Sequence, residues 1–292
     1  LLGIQNERCL VYMDDIIVYS PSLHEHMTRL KDIFERLRKS NFKIQPDKCE
    51  FLRKEVAYLG HVITPEGVKP NPLKIECIEK FPQPKNPKEV KSFLGLAGYY
   101  RRFIPEFAKI AKPLTILLKK DIIFDFDNDC RKSFETLKNL LITAPILSYP
   151  DFTEPFLLTT DASAYAIGAV LSQGPIGKDL PIAYASRTLN KAETRYSTIE
   201  REMLAIVWSI KHFRPYLFGR KFTLITDHRP LTWLFSVKDP GSRLARWRLK
   251  LEEYEFEVVY KPGKTNKNAD ALSRIKIEDT QNSIATLAFT ES

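Results

Sequence analysis

Four carboxylates, each at or near the end of an apolar run, carry the chemistry available to this chain. Phe156 to Ser163 reads FLLTTDAS, a buried-strand pattern that delivers Asp161 at its end. Glu202 opens the most apolar part of a helical run, EMLAIVWSI; Asp227 ends the strand-like run KFTLITDH, and Asp270 opens a short helix in NADALSR. Four acids converging from separate elements repel one another, at several kcal/mol, unless cations neutralise them. Ligand sets made only of oxygen suit hard ions, so Mg²⁺ is the expected cofactor, with Mn²⁺ as a substitute. The set predicts two-ion hydrolysis of a phosphodiester, one ion activating water and the other stabilising the leaving oxygen.

Glu200 competes with Glu202 for that role. Two residues apart on a helix they point in different directions, and the spacing of Glu202 to Ile206 and Ser209 puts it on the buried side. A second acidic pair, Asp14-Asp15, interrupts CLVYMDDIIVYS. The pattern predicts a hairpin with the acids at its turn, and arms this apolar predict a pair at the mouth of a cleft.

The elements that must position these groups follow from periodicity. Five strands are expected at 156–163, 166–173, 181–188, 221–228 and 256–263, and one long helix at 193–216. Three strands in succession, then strands separated by helices, predict a mixed α/β sheet covered by helices. Upstream, amphipathic helices are expected at 24–42, 89–103, 107–119 and 131–142, and prolines at 70, 72, 82, 84 and 87 mark a boundary.

At 292 residues the chain has room for two or three domains. Lys and Arg number 45 against 36 for Asp and Glu, a formal charge of +9 that favours a polyanionic partner. No apolar run approaches the roughly 20 residues that cross a bilayer, so no membrane association and an intracellular location are expected. The four cysteines form no C-x-x-C pair, which argues against structural zinc and predicts four buried free thiols.

YMDD at 12–15 resembles the catalytic hairpin of reverse transcriptases, and the wider run resembles the Pol polyproteins of gypsy-type LTR retrotransposons (Metaviridae). The resemblance implies a multi-domain α/β chain. Residues 1–68 would be the end of a reverse transcriptase palm, 69–120 a helical thumb and 121–152 a connection. A ribonuclease H-like mixed five-stranded sheet with flanking helices would follow at 153–275, and 276–292 would lead toward an absent integrase. It makes Asp161, Glu202, Asp227 and Asp270 the ribonuclease H acids, holding two ions. Asp14 and Asp15 would be two of three polymerase acids, the third lying upstream, so that polymerisation belongs to the full-length parent. YLGHVI at 58–63 resembles a primer grip, with Tyr58 and Gly60 at its turn, though an ordinary hairpin fits as well.

The partners implied are an RNA/DNA hybrid and a template-primer. Tyr99, Arg101 and Arg102 would face the template-primer backbone or else the core; Ser163, Ser186 and Arg187 would meet the hybrid near the first acid, and Arg246 the DNA phosphates. A homodimer, or association with the protease and integrase of the parent polyprotein, is allowed, and the parent element implies a cytoplasmic virus-like particle. One departure stands out: KPGKTNKNAD at 261–270 lacks the histidine that many relatives carry before the last aspartate. The competing reading is a domesticated or decayed copy, a binding module that holds nucleic acid without cutting it.

Overall fold

Apolar arms around Met13-Asp14 close as the expected hairpin, β1 (Cys9–Tyr12) against β2 (Asp15–Val18), with Tyr12 opposite Asp15. The computed structural model describes residues 1–5, 7–120, 122–228 and 242–262, which group into two units. The first comprises residues 1–81 with 142–149, the second residues 82–141 with those from 150 onward. This grouping cuts across the expected thumb and connection. The helices from Pro82 to Leu141 go with the sheet that follows them, while residues 142–149 go with the first unit.

In the first unit, Ser22 accepts a hydrogen bond from the Glu25 N–H and so starts α1 (Leu23–Lys39), which buries Ile33 against Ile4 and Cys9. Two of its five basic residues are committed: Arg29 donates to the Tyr19 carbonyl at 2.6 Å, and Arg36 donates to the Leu2 carbonyl at 3.0 Å. A three-stranded meander follows, β3 (Val56–Tyr58), β4 (His61–Thr64) and β5 (Gly67–Pro70), then α2 (Pro72–Glu79). Leu59 and Gly60, at φ 46 and φ 70, make the two-residue turn between β3 and β4. Two left-handed residues in succession match the twist of the strands they join, and glycine accepts that conformation without strain.

Strand β5 is completed from far along the chain. Val68 N–H donates to the Leu147 carbonyl at 2.8 Å and Leu147 N–H returns to Val68 at 2.9 Å. The Tyr149 hydroxyl donates to the Thr64 carbonyl at 2.9 Å.

The second unit begins with α3 (Pro87–Tyr99), capped by Asn86 with Pro87 in its first turn, where a missing N–H costs nothing. Next come α4 (Phe107–Ile110), α5 (Lys112–Ile116) and α6 (Asn128–Ile142). The single helix expected at 107–119 is two, because Pro113 cannot continue a helix through its own position. Fully buried Phe93, Phe103, Leu114 and Leu137 form the helical core, with the Phe93 and Phe134 rings 4.5 Å apart.

The sheet has β6 (Phe156–Ala162), β7 (Ala166–Gln173), β8 (Leu180–Thr188), β9 (Phe222–Thr226) and β10 (Phe256–Tyr260) in the order β10-β9-β6-β7-β8. The first three form an antiparallel meander; β9 runs parallel to both β6 and β10, so the sheet is mixed, as the strand and helix order predicts. Helices α7 (Thr198–His212), α8 (Arg214–Leu217) and α9 (Ser242–Leu251) accompany it. Met203, Ile206 and Ile210 seat α7 on Leu158, Leu171 and Leu224. The long helix expected at 193–216 is interrupted. Ser197 accepts from the Glu200 N–H and the Glu200 carboxylate accepts from the Ser197 N–H, a capping box that starts the helix afresh after an extended Tyr196.

All four cysteines are free, but only Cys9 and Cys130 are buried; Cys77 is exposed and Cys49 intermediate, which corrects the expectation of four buried thiols. Cys77 lies on the two-turn helix α2, where Ile78 is the residue turned inward.

Gly67 marks the closest backbone approach in the first unit. At φ 148, a Cβ there would stand 2.1 Å from the Leu147 carbonyl oxygen. Gly67→Ala is expected to lower stability by about 2 kcal/mol or more in thermal unfolding, against about 1 kcal/mol for Gly3→Ala, where φ is 82 but the space is open. Equal midpoints for the two variants would show that the seam with Leu147 is not what holds β5.

Candidate metal centre

Parallel neighbours in a sheet end at the same edge, and here β6 and β9 bring their last residues together. Asp161 is the sixth residue of β6, and Asp227 follows β9 directly. Helix α7 crosses beneath and offers Glu202 from its buried side. One carboxylate oxygen from each of Asp161, Glu202 and Asp227 lies within 4.8 Å of the others, the one such acidic group among the described residues. Asp270, the fourth expected acid, lies outside the described residues.

The competing acid is accounted for. Glu200 spends one oxygen on the helix cap and accepts from Arg243 of α9 at 2.6 Å, on the outer side of the helix. Glu202 is 5% exposed, and its Oε2 is buried without a hydrogen-bond partner.

Burial and like charge act together on this group. Burial, then the charges of Asp161 and Asp227, push the Glu202 carboxyl up to about 8. Asp161 is raised as well, first by burial, then by Glu106 and Asp227, against the opposing pull of Lys109. An oxygen-only set with one oxygen left unpaired in the interior fits a hard divalent cation, whose charge would offset the penalty on Glu202 and Asp161.

The nucleic-acid contacts expected from sequence fare differently. Ser163 is taken up by its own turn, its Oγ donating to the Ala166 carbonyl at 3.0 Å and accepting from the Ala166 N–H at 3.0 Å. Ser186 is 2% exposed and accepts from the Ala108 N–H of α4 at 2.9 Å, so the helical segment closes it off from any strand, which corrects the expectation of contact there. Arg187 makes a two-pronged bond to the buried Glu193, at 2.7 and 2.9 Å, with its guanidinium over the Trp208 ring. Its role is to fix the segment that leads into α7.

Arg101 donates to the Ser186 carbonyl and Arg102 to the Ile182 carbonyl at 3.4 Å, while Tyr99 stays 53% exposed. Arg246 is exposed on α9.

In the first unit, Asp14 and Asp15 are exposed, and so are Tyr12 at 54% and Met13 at 84%. The expected cleft around them is therefore not formed by the described residues. Tyr58 lies close enough to Asp15 to feel it: burial first, then the Asp15 charge, raise its phenol. Sequence reasoning missed Glu106 altogether, since nothing in its immediate context distinguishes it from a surface acid.

Residues 151–254 match the family described as RNase H-like domain found in reverse transcriptase, and residues 2–63 match Reverse transcriptase (RNA-dependent DNA polymerase). The chain is 53% identical over 287 residues to the retrovirus-related Pol polyprotein from transposon 297 of Drosophila melanogaster, covering 98% of this chain and 27% of that protein. Over nearly its whole length the chain is similar to the Pol polyproteins of gypsy-type retrotransposons. The Pol polyprotein from transposon gypsy of the same fly is 40% identical, with 94% of this chain and 27% of the relative covered. This Pol chain thus spans about a quarter of the length of the curated relatives it matches. Its fold is also that of a foamy viral protease-reverse transcriptase solved in complex with RNA/DNA hybrid, at TM-score 0.72 and 23% identity, over 97% of this chain and 38% of that one.

The Glu202 shift has a measurable sign. Its folded value, about 8, lies above the ordinary carboxylate value of 4.5, so the folded state holds more protons between those limits and stability falls as pH rises from 4.5 to 8. Without added metal, the thermal midpoint is expected to drop across that window by an amount on the order of a few kcal/mol in stability. Glu202→Gln should flatten the drop, and Mg²⁺ should offset it most at the alkaline end. A wild-type midpoint that rises with pH over this range would contradict the assignment.

Proposed function

We propose that this Pol chain carries a ribonuclease H centre that hydrolyses the RNA strand of an RNA/DNA hybrid, with Mg²⁺ as the cofactor and Mn²⁺ able to replace it. What carries the reading is the meeting of Asp161, Glu202 and Asp227 within 4.8 Å in the segment that matches the RNase H-like family. When bound there, divalent cations supply Lewis acidity and lower the pKa of water.

The residues of the chain do the rest. Asp161 and Asp227, at the ends of parallel strands, hold the mouth of the centre, and exposed Asp227 is the acid reached first from solvent. Buried Glu202 closes the floor; its unpaired Oε2 is the oxygen with most to gain from a cation. Asp270 is the proposed fourth acid. The same centre would accept its water and its strand from the side where Asp227 is exposed.

RNA-directed DNA polymerisation is assigned to the longer polyprotein. Asp14 and Asp15 sit on a hairpin in open solvent, and no third carboxylate joins them among the described residues. Template-primer, a second copy of the chain and other Pol parts are the partners this reading gives to the parent.

The experiment is cleavage of a labelled RNA/DNA hybrid by the purified chain with Mg²⁺, beside Asp161→Asn and Asp227→Asn. Asn keeps the shape and removes the charge, so each variant is expected to lose on the order of a hundredfold or more in rate. Tight, salt-sensitive binding without cutting in either Mg²⁺ or Mn²⁺ would leave a binding module in place of the enzyme.

A further inference from the structure

The helical segment delivers a carboxylate beside the centre that is not among the expected acids. Asp161 pairs with Gly168 on β7, and Gly168 pairs in turn with Ser186 on β8, so the three form one row across the sheet. The start of α4 lies over that row. Ala108 N–H is bonded to the Ser186 hydroxyl at 2.9 Å, and a Cβ built on Gly168 would come 4.0 Å from the Glu106 Cγ.

Pro105 and Glu106 line one wall of a cleft of about 30 Å³, room for roughly one water, and Asp161 and Gly168 line another. Glu106 stands there in the left-handed region at φ 51, immediately before α4. Its two oxygens accept from Lys109 Nζ at 3.0 and 3.2 Å. Its side chain is 20% exposed, which leaves its charge only partly screened by solvent.

We propose that Glu106 is a positioning residue for the cation held by Asp161, Glu202 and Asp227, its negative charge raising cation occupancy and Lys109 setting how much of that charge reaches the centre. The proposal rests on the metal-dependent reading of the preceding subsection. It goes beyond that reading, because Glu106 lies outside residues 151–254, the segment that matches the RNase H-like family. The unpaired Oε2 of buried Glu202 is the oxygen to which added negative potential would draw a cation. A cation at such a site feels every nearby charge at a reduced dielectric, so one carboxylate and one ammonium next to it have opposite and separable effects.

The opposition makes the test. Mn²⁺ binding to the full chain is followed by the loss of the free-ion EPR signal, for wild type, Glu106→Gln and Lys109→Gln. Glu106→Gln is expected to weaken Mn²⁺ binding by about threefold to tenfold and Lys109→Gln to strengthen it by a smaller factor, with Glu106→Asp restoring most of the wild-type affinity. Both Gln variants break the same ion pair, so a merely structural role would move affinity in the same direction for both. That outcome, or unchanged affinities, or no Mn²⁺ binding by wild type, overturns the proposal. Hybrid cleavage is measured in parallel: wild type that binds Mn²⁺ with this pattern but cuts nothing refutes the ribonuclease reading while Glu106 keeps its role.

Discussion

Three carboxylates within 4.8 Å of one another repel, and the rest of the second unit is arranged to withstand that repulsion. Asp161 and Asp227 cannot separate without breaking the parallel pairing of β6 and β9, in which Phe156 through Thr159 lie in register with Phe222 through Ile225. Glu202 cannot withdraw without lifting Met203 and Ile206 out of the core. Each buried side chain of that size contributes about 1.5 to 3 kcal/mol, and several act together, so the apolar seat outweighs the few kcal/mol held in the shifted Glu202. The three acids are thus held together by packing.

The surplus of basic residues does less than its size suggests. Arg187 is spent on Glu193, Arg243 on Glu200, and Arg101 and Arg102 reach carbonyls of β8. Those last two bonds matter for the sheet itself, because β8 is an edge strand. Side chains that occupy its outward carbonyls, together with α4 packed on it, remove a template onto which a foreign strand could add. A formal charge of +9 is a poor guide to which arginines would meet a polyanion.

Much of this was legible in the residues. Alternation located all five strands within a few positions, and helical spacing separated Glu202 from Glu200 because burial of one face leaves only one of two acids two residues apart on it. Other features were not. Ser186 looks like any polar residue near a strand end, and only the helix packed over it decides that its hydroxyl serves Ala108. The break before α7 follows from a reciprocal Ser197 and Glu200 cap inside a run whose periodicity continues on both sides. Apolar arms around Asp14 suggested a cleft, yet periodicity says only that a surface wants covering, and the cover is a matter of tertiary context. Glu106 was invisible for the same reason: its neighbour across space, Gly168, is far away in sequence.

The pairing of Val68 with Leu147 carries a consequence for how the molecule is made. Strand β5 is synthesised long before its partner, with α3 to α6 emerging in between. On the ribosome the first unit must therefore wait, its β5 edge open, while those helices appear. The helices in turn appear before the sheet against which they pack. Neither unit can finish in the order of synthesis, and a pause in synthesis between Gly67 and Leu147 would leave both incomplete at once.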